Sequence, residues 1–221
     1  ATAGYTPLVD DAHTDDQTAD RSLARWGHLD RAALLVLDMQ EAYFESPALE
    51  DHRAAVVERC SVAIDWARDL GLPIITIRTE HRADRSTWTL NMLEDDQGML
   101  LQGDAHTARL PELDLRDGID VVKTRDDAFL GSELEQVLRD LDVDTLVLTG
   151  VSTHTCIAMT AAHAFASQMR VVLVRDAIAS HRPELHDITL DTLRLEYRCP
   201  VLEAESLRRI SLRRAGRGRP R

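Results

Sequence analysis

The chain has little cysteine, almost no lysine and no long apolar run, and each shortage excludes something. Its three cysteines, at positions 60, 156 and 199, are odd in number and widely spaced. That pattern argues against a disulfide framework and against a cysteine metal cluster. No apolar run exceeds six residues, far short of the roughly 20 that cross a bilayer, so no membrane partner is expected. No N-terminal stretch joins a charged start, an apolar middle and a small-residue cleavage site, and the cytoplasm is the expected compartment. Positive charge is short as well. The net charge is −12, whereas phosphate binding is driven by clustered Lys and Arg, which argues against nucleic acid as a partner. The basic, glycine-containing stretch 208–221 is the exception. It either touches RNA or an acidic surface or is a solvated, flexible tail with little apolar surface to bury.

Of the 26 Lys and Arg residues a single one is lysine, Lys123. A chain that uses arginine for generic surface charge keeps a lysine where guanidinium cannot serve. Proton transfer and pKa tuning are such roles, since arginine stays protonated. A chance surface lysine is the alternative.

What is present is an ordinary globular composition, with 44% hydrophobic and 29% charged residues over 221 positions. Neither a linker-like stretch nor an internal repeat interrupts it, so one domain is expected over 31–207. Residues 1–30 are acidic and short on apolar periodicity, with a possible short helix near 22–26. They read as an arm that packs on the body or on a second subunit.

The run 32–37, all apolar, reads as a strand buried on both faces, the mark of a parallel sheet. Apolar positions three or four apart over 53–70, stopped by Gly71 and Pro73, predict an amphipathic helix. Further strands are predicted over 73–79, 119–123, 145–148, 171–174 and 200–202, and helices over 158–169 and 184–197. Ser132 with Glu135 three residues on predicts a capping box for a helix through Leu134 and Leu141. The excursion 80–115 has little periodicity, and loops of this length are usually functional or disordered. Strands alternating with helices predict an α/β fold, a six-stranded parallel sheet between helical layers, with right-handed crossovers.

In such a sheet ligands bind beyond the carboxyl ends of the strands. Asp38 ends the first strand, Lys123 ends the third, and Cys156 follows the fourth by a short turn and opens a helix. The thiol alone is either reactive, favoured by the amides and dipole of a helix start, or a buried structural cysteine. A nucleophilic Cys needs a group to take its proton and a charge to hold the thiolate, and a carboxylate and an ammonium supply these.

Taken together and in order, Leu35-Val36-Leu37-Asp38-Met39-Gln40, Lys123-Thr124-Arg125 with Ala128-Phe129, Thr149-Gly150-Val151-Ser152-Thr153-His154-Thr155-Cys156, and Asp176-Ala177 resemble the isochorismatase-like cysteine hydrolases. This family includes nicotinamidases, N-carbamoylsarcosine amidases, ureidoacrylate amidohydrolases and isochorismatases. The resemblance covers about 32–202 and implies a triad of Asp38, Lys123 and Cys156. It further implies an oxyanion site at the backbone N–H groups of Ser152 and Cys156, and a cis peptide at Val151–Ser152. It also implies a small-molecule amide or carbamoyl substrate, no cofactor, and a homo-oligomer, dimer or tetramer. Phe44, Trp88, Asn91, Arg125, Phe129 and His154 are the substrate-contact candidates. Two departures stand out. The Glu80-His81 and Asp84 spacing differs from the aspartate-and-histidine metal site of nicotinamidases, so no metal is expected and His81 reads as a loop or pocket-wall residue. Asp126-Asp127 stand where relatives commonly carry Tyr-Ser. At a pocket mouth they favour a neutral or cationic substrate; elsewhere they are simply solvated.

Overall fold

The structure is a computed structural model that describes residues 29–210. The possible helix at 22–26, most of the arm and most of the basic tail lie outside the described residues. Six strands form one sheet: β1 (Ala32–Leu37), β2 (Ile74–Thr79), β3 (Ile119–Lys123), β4 (Thr145–Val151), β5 (Arg170–Ala179) and β6 (Val201–Leu202). Their order is β3-β2-β1-β4-β5-β6, and every neighbouring pair is parallel.

The apolar run of β1 explains its central place. Leu34 pairs with Ile74 on one side and Val147 on the other, and all six residues of β1 are buried. Successive side chains of a strand point to opposite faces. Accordingly Ala32, Leu34 and Val36 join one apolar cluster and Ala33, Leu35 and Leu37 the other. The first cluster takes in the helix α3 (Arg53–Leu70) through Val56, Cys60, Ile64 and Ala67, and α8 (Ala204–Leu207) through Leu207. The second takes in α5 (Leu134–Asp140), α6 (Ala158–Ala166) and α7 (His186–Glu196). The result is the expected α/β architecture, a parallel sheet between two helical layers. Each fully buried leucine contributes roughly 1.5–3 kcal/mol relative to exposure.

Helix α3 stops where the sequence says. Gly71 takes φ +68°, its N–H donates to Arg68 O at 3.0 Å, and the Leu72 N–H donates to Ala67 O at 2.9 Å. These two bonds close a Schellman motif. The predicted capping box at α5 does not form, because Glu133 rather than Ser132 takes the N-cap position and makes no side-chain cap bond. Ser132 Oγ accepts from the Leu134 N–H at 3.1 Å, and the Glu135 carboxylate pairs with Arg139 one turn on, at 2.6 Å.

Two strands run further than their apolar stretches. β4 continues through Gly150 to Val151 rather than stopping at Leu148. β5 continues to Ala179 across Arg175 and Asp176. The register explains the second case: Leu148 faces Leu173, yet Gly150 faces Ile178, so the charged pair sits in a bulge. There Arg175 meets Asp187 at 2.5 Å, and Asp176 Oδ1 accepts the Ala204 N–H at 2.7 Å. Two further short helices, α1 (Glu41–Phe44) and α2 (Pro47–Glu50), follow β1. The excursion 80–115 is ordered by α4 (Leu90–Glu94), a 3-10 turn at Ala105–Thr107, and single bridges of His81 to Leu101 and Arg109 to Gln40. Among the described residues no helix is long and apolar enough to cross a membrane.

Candidate active site

The strand order reverses direction between β1 and β4, and the carboxyl ends beside that switch point form the crevice where α/β sheets bind ligands. Gly150 makes the two strands fit there. A Cβ on it would lie 2.0 Å from Leu37 O, and its φ is +112°, so only glycine allows β1 and β4 to close up at this level. The next residue on β1, Asp38, takes φ +53°, an uncommon conformation for a non-glycine residue. Its N–H donates to Ile77 O at 2.8 Å, and its side chain is fully buried.

Lys123, at the end of β3, reaches across β2 to meet it. Lys123 Nζ lies 2.9 Å from Asp38 Oδ2, and neither side chain is exposed at all. The same ammonium donates to Thr79 Oγ1 at 2.8 Å, to Arg125 O at 3.1 Å and to Cys156 Sγ at 3.3 Å. Thr79 sits between the two strands and is saturated. Its hydroxyl donates to Asp38 Oδ1 at 2.8 Å and accepts from Lys123 and, at 3.2 Å, from the Tyr43 hydroxyl, which uses its one proton and both lone pairs. Gln40 fixes Thr79 in turn. It accepts the Thr79 N–H at 2.8 Å and donates to Thr79 O at 3.0 Å and Thr107 O at 2.7 Å. One atom is left over: Asp38 Oδ2 is buried without a hydrogen bond of good geometry, although the ammonium is close.

Electrostatics follow from this burial. Desolvation alone would pull the Lys123 ammonium down, but the charge of Asp38 and the hydrogen-bonding sulfur of Cys156 outweigh it and hold its pKa above the ordinary lysine value. Burial pushes the Cys156 thiol well up, and the Asp38 charge adds to this while Lys123 opposes it. At rest, then, the sulfur is a neutral thiol beside a carboxylate and an ammonium. Tyr43 is raised too, by burial first and then by the charge of Asp38, so it stays a hydrogen-bond donor.

Cys156 lies in a widened turn, Thr153–Ile157, where the Ile157 N–H donates to Ser152 O at 3.2 Å. The Val151–Ser152 peptide before this turn is cis. Three contacts stitch it to the segment after β5: Ser152 Oγ to His181 Nδ1 at 2.8 Å, Thr153 Oγ1 to His186 Nδ1 at 2.8 Å, and His154 Nδ1 to Ser180 Oγ at 2.9 Å. Thr153 already gives its proton to Ala179 O, so His186 Nδ1 is the donor in that pair. Burial holds His154, His181 and His186 below the ordinary histidine value, which leaves these staples uncharged near neutral pH.

The proposed substrate contacts divide. Phe129 is 8% exposed, shares an apolar cluster with Cys156 and stacks on His163 with ring centroids 4.5 Å apart. Arg125 offers its carbonyl to Lys123 and turns its guanidinium to Thr87 O at 2.7 Å, tying the excursion to the rim. His154 tilts against His181 at 4.6 Å. Trp88 and Asn91 are engaged within the excursion itself: Trp88 donates to Arg82 O and carries Arg85 over its ring, while Asn91 accepts from Thr89. Phe44 packs into the core. Its ring is 3% exposed in the core with Leu49 and under the Arg53 guanidinium. Its neighbour Tyr43 is the aromatic residue that reaches the rim. His81 is buried with Nδ1 on Thr87 O, and Asp84 is bonded to Ser86. Among the described residues no group of three or more His, Cys, Asp or Glu could hold a metal ion.

Residues 32–206 match the family model of the isochorismatase domain. The chain belongs to the isochorismatase family of hydrolases. A probable inactive nicotinamidase of Arabidopsis thaliana is 29% identical over 188 residues, covering 80% of this chain and 94% of that one. A probable isochorismatase of Pseudomonas chlororaphis is 30% identical over 191 residues, covering 85% and 91%. The crystal structure of an isochorismatase family protein from Desulfovibrio vulgaris superposes with a TM-score of 0.71 at 26% identity, covering 81% and 97%. Isochorismatase-family membership thus spans the whole sheet and the rim that holds Asp38, Lys123 and Cys156.

Proposed function

We propose that this protein is a cysteine hydrolase that cleaves the C–N bond of a small amide or carbamoyl compound through a thioester. The observation that carries this reading is one ammonium, Lys123 Nζ, 2.9 Å from Asp38 Oδ2 and 3.3 Å from Cys156 Sγ in a fully buried cluster. Asp38 takes the thiol proton as the sulfur attacks the carbonyl carbon. The backbone N–H groups of Ser152 and Cys156 stabilise the resulting oxyanion. Collapse expels ammonia or an amine, which leaves with the proton that Asp38 took. Asp38 then removes a proton from water as the oxygen attacks the thioester, and the second collapse returns that proton to sulfur. The thiol, held neutral at rest, makes a general base necessary.

A screen for ammonia or amine release across amides, ureides and carbamates tests the proposal, with Cys156→Ala as control. Turnover of at least one compound, abolished in the variant, is expected; undiminished hydrolysis by Cys156→Ala overturns the thioester route. The likeness to a probable isochorismatase favours a second reading, vinyl ether hydrolysis through Asp38 without a thiol. Iodoacetamide separates the two. Alkylation of Cys156 stops thioester chemistry, whereas isochorismate cleavage survives it unless the adduct blocks the pocket.

A further inference from the structure

The two acidic residues after Lys123 have different fates in the fold. Asp127 is turned inward at 9% exposure: Oδ1 accepts the Phe129 N–H at 2.9 Å and Oδ2 meets His163 Nδ1 at 2.6 Å. Its charge is used within the framework. Asp126 is exposed, and its Oδ1 lies 3.9 Å from Cys156 Sγ, at the outer limit of a thiol hydrogen bond. No cation stands within ion-pair distance of Asp126 among the described residues. Neighbouring Arg125 is tied to Thr87 O and Thr124 O, and Arg182 pairs with Glu184 at 3.9 Å.

We propose that Asp126 is a specificity-determining residue, whose carboxylate beside the nucleophile favours amides bearing a cationic or hydrogen-bond-donating group and disfavours substrates bearing a carboxylate. The inference rests on the amide-hydrolase reading and narrows its substrate class. Three features support it. The carboxylate lies 3.9 Å from the Cys156 sulfur, so a substrate attached there sits beside it. Its field is felt across the mouth: it raises the Cys156 thiol and opposes the lowering of both His154 and His181. Finally, a unit charge about 4 Å away is worth several-fold in rate or affinity even at water-like dielectric, enough to sort substrates by charge.

The test reads charge at Cys156 without needing turnover. Two methanethiosulfonate reagents of matched size, one carrying an aminoethyl cation and one a sulfonatoethyl anion, are timed at Cys156 by peptide mass spectrometry. In each case the thiolate attacks the sulfenyl sulfur and methanesulfinate leaves. The wild-type protein should favour the cation over the anion relative to a free thiol. Asp126→Asn should cut that ratio about tenfold, and Asp126→Glu should keep it. A change in the thiol's own acidity alters both rates together, so the ratio isolates the field of the carboxylate. An unchanged ratio in Asp126→Asn overturns the inference, as does failure of both reagents to reach Cys156. A parallel amide panel keeps the two readings apart: no amide turned over sinks the hydrolase reading and with it the assignment of amide specificity, whereas turnover without charge selectivity sinks this inference alone.

Discussion

Lys123→Met is the most searching perturbation of the buried cluster. Methionine nearly matches the length and shape of lysine but removes the ammonium. Four contacts are lost at once: the ion pair to Asp38 at 2.9 Å and the bonds to Thr79, Arg125 O and Cys156. The Asp38 carboxylate is then left buried without a counter-charge. Breaking a buried pair by removing one partner costs about 3–5 kcal/mol, a large share of the 5–15 kcal/mol that holds an ordinary domain together. The sign with pH follows from the raised Lys123 value. A lysine raised in the folded state stabilises fully below its unfolded value, near 10.4, and loses that contribution only as pH climbs through the folded one. The deficit of the variant should therefore be flat from about pH 6 to 9. Urea denaturation of both proteins across that range measures it. Asp38→Asn with Lys123→Met should be less destabilised than Lys123→Met alone, because the orphaned charge is gone. A deficit below about 1 kcal/mol, or a double variant worse than the single one by the full Asp38→Asn effect, would refute the argument that charge compensation holds this site together.

Asp38→Asn should split two reactions that use the same sulfur. Removing the neighbouring negative charge lowers the thiol toward its ordinary value, so iodoacetamide should label Cys156 faster near pH 8. Amide hydrolysis should fall by 100-fold or more with the base gone; slower labelling would count against this account of the thiol. In the unsubstituted protein the raised thiol predicts labelling that still climbs at pH 9, and a plateau by pH 8 would contradict it. Gly150→Ala puts a Cβ 2.0 Å from Leu37 O at φ +112° and should destabilise by more than about 3 kcal/mol. A melting temperature within about 2 °C of the parent would show that the strands part easily at this point.

The sheet was legible because parallel strands buried on both faces are written as apolar runs, and because alternating helices leave only a few ways to wind them. Failures came where local chemistry overrode pattern. Gly150 falls outside the predicted strand 145–148 but lies inside β4, since the demand for glycine comes from a neighbouring carbonyl that no local pattern reveals. Arg175 and Asp176 read as a stop, yet a bulge carries them across the sheet. The charged members of the site were legible by type and by position at strand ends. Its neutral members were not: Gln40, Tyr43 and Thr79 are common polar residues whose importance appears only when β1 and β2 stand side by side. His181 and His186 lie nearly thirty positions or more from the turn they staple. Phe44 and Tyr43 show the limit of reading a short helix from composition, because one step of about 100° decides which ring faces the core and which the rim.

Charge conservation explains why the lone lysine belongs at this point. At rest the cluster holds a carboxylate, an ammonium and a thiol raised into its neutral form, which together carry no net charge. In the proposed attack Asp38 becomes a neutral acid as negative charge appears on the substrate oxygen, so the sum is again zero. The negative charge has moved only from Asp38 to the oxyanion, while Lys123 stays beside Asp38 and the sulfur, at 2.9 and 3.3 Å. A buried site that never changes its net charge avoids the desolvation penalty of an isolated ion at every stage. Guanidinium is a poorer choice for the fixed charge. Its planar fork suits a bidentate carboxylate, whereas Lys123 directs one compact charge toward a carboxylate, a hydroxyl, a carbonyl and a sulfur arranged around it. Lys123→Arg should accordingly fail to restore hydrolysis even though it preserves the charge.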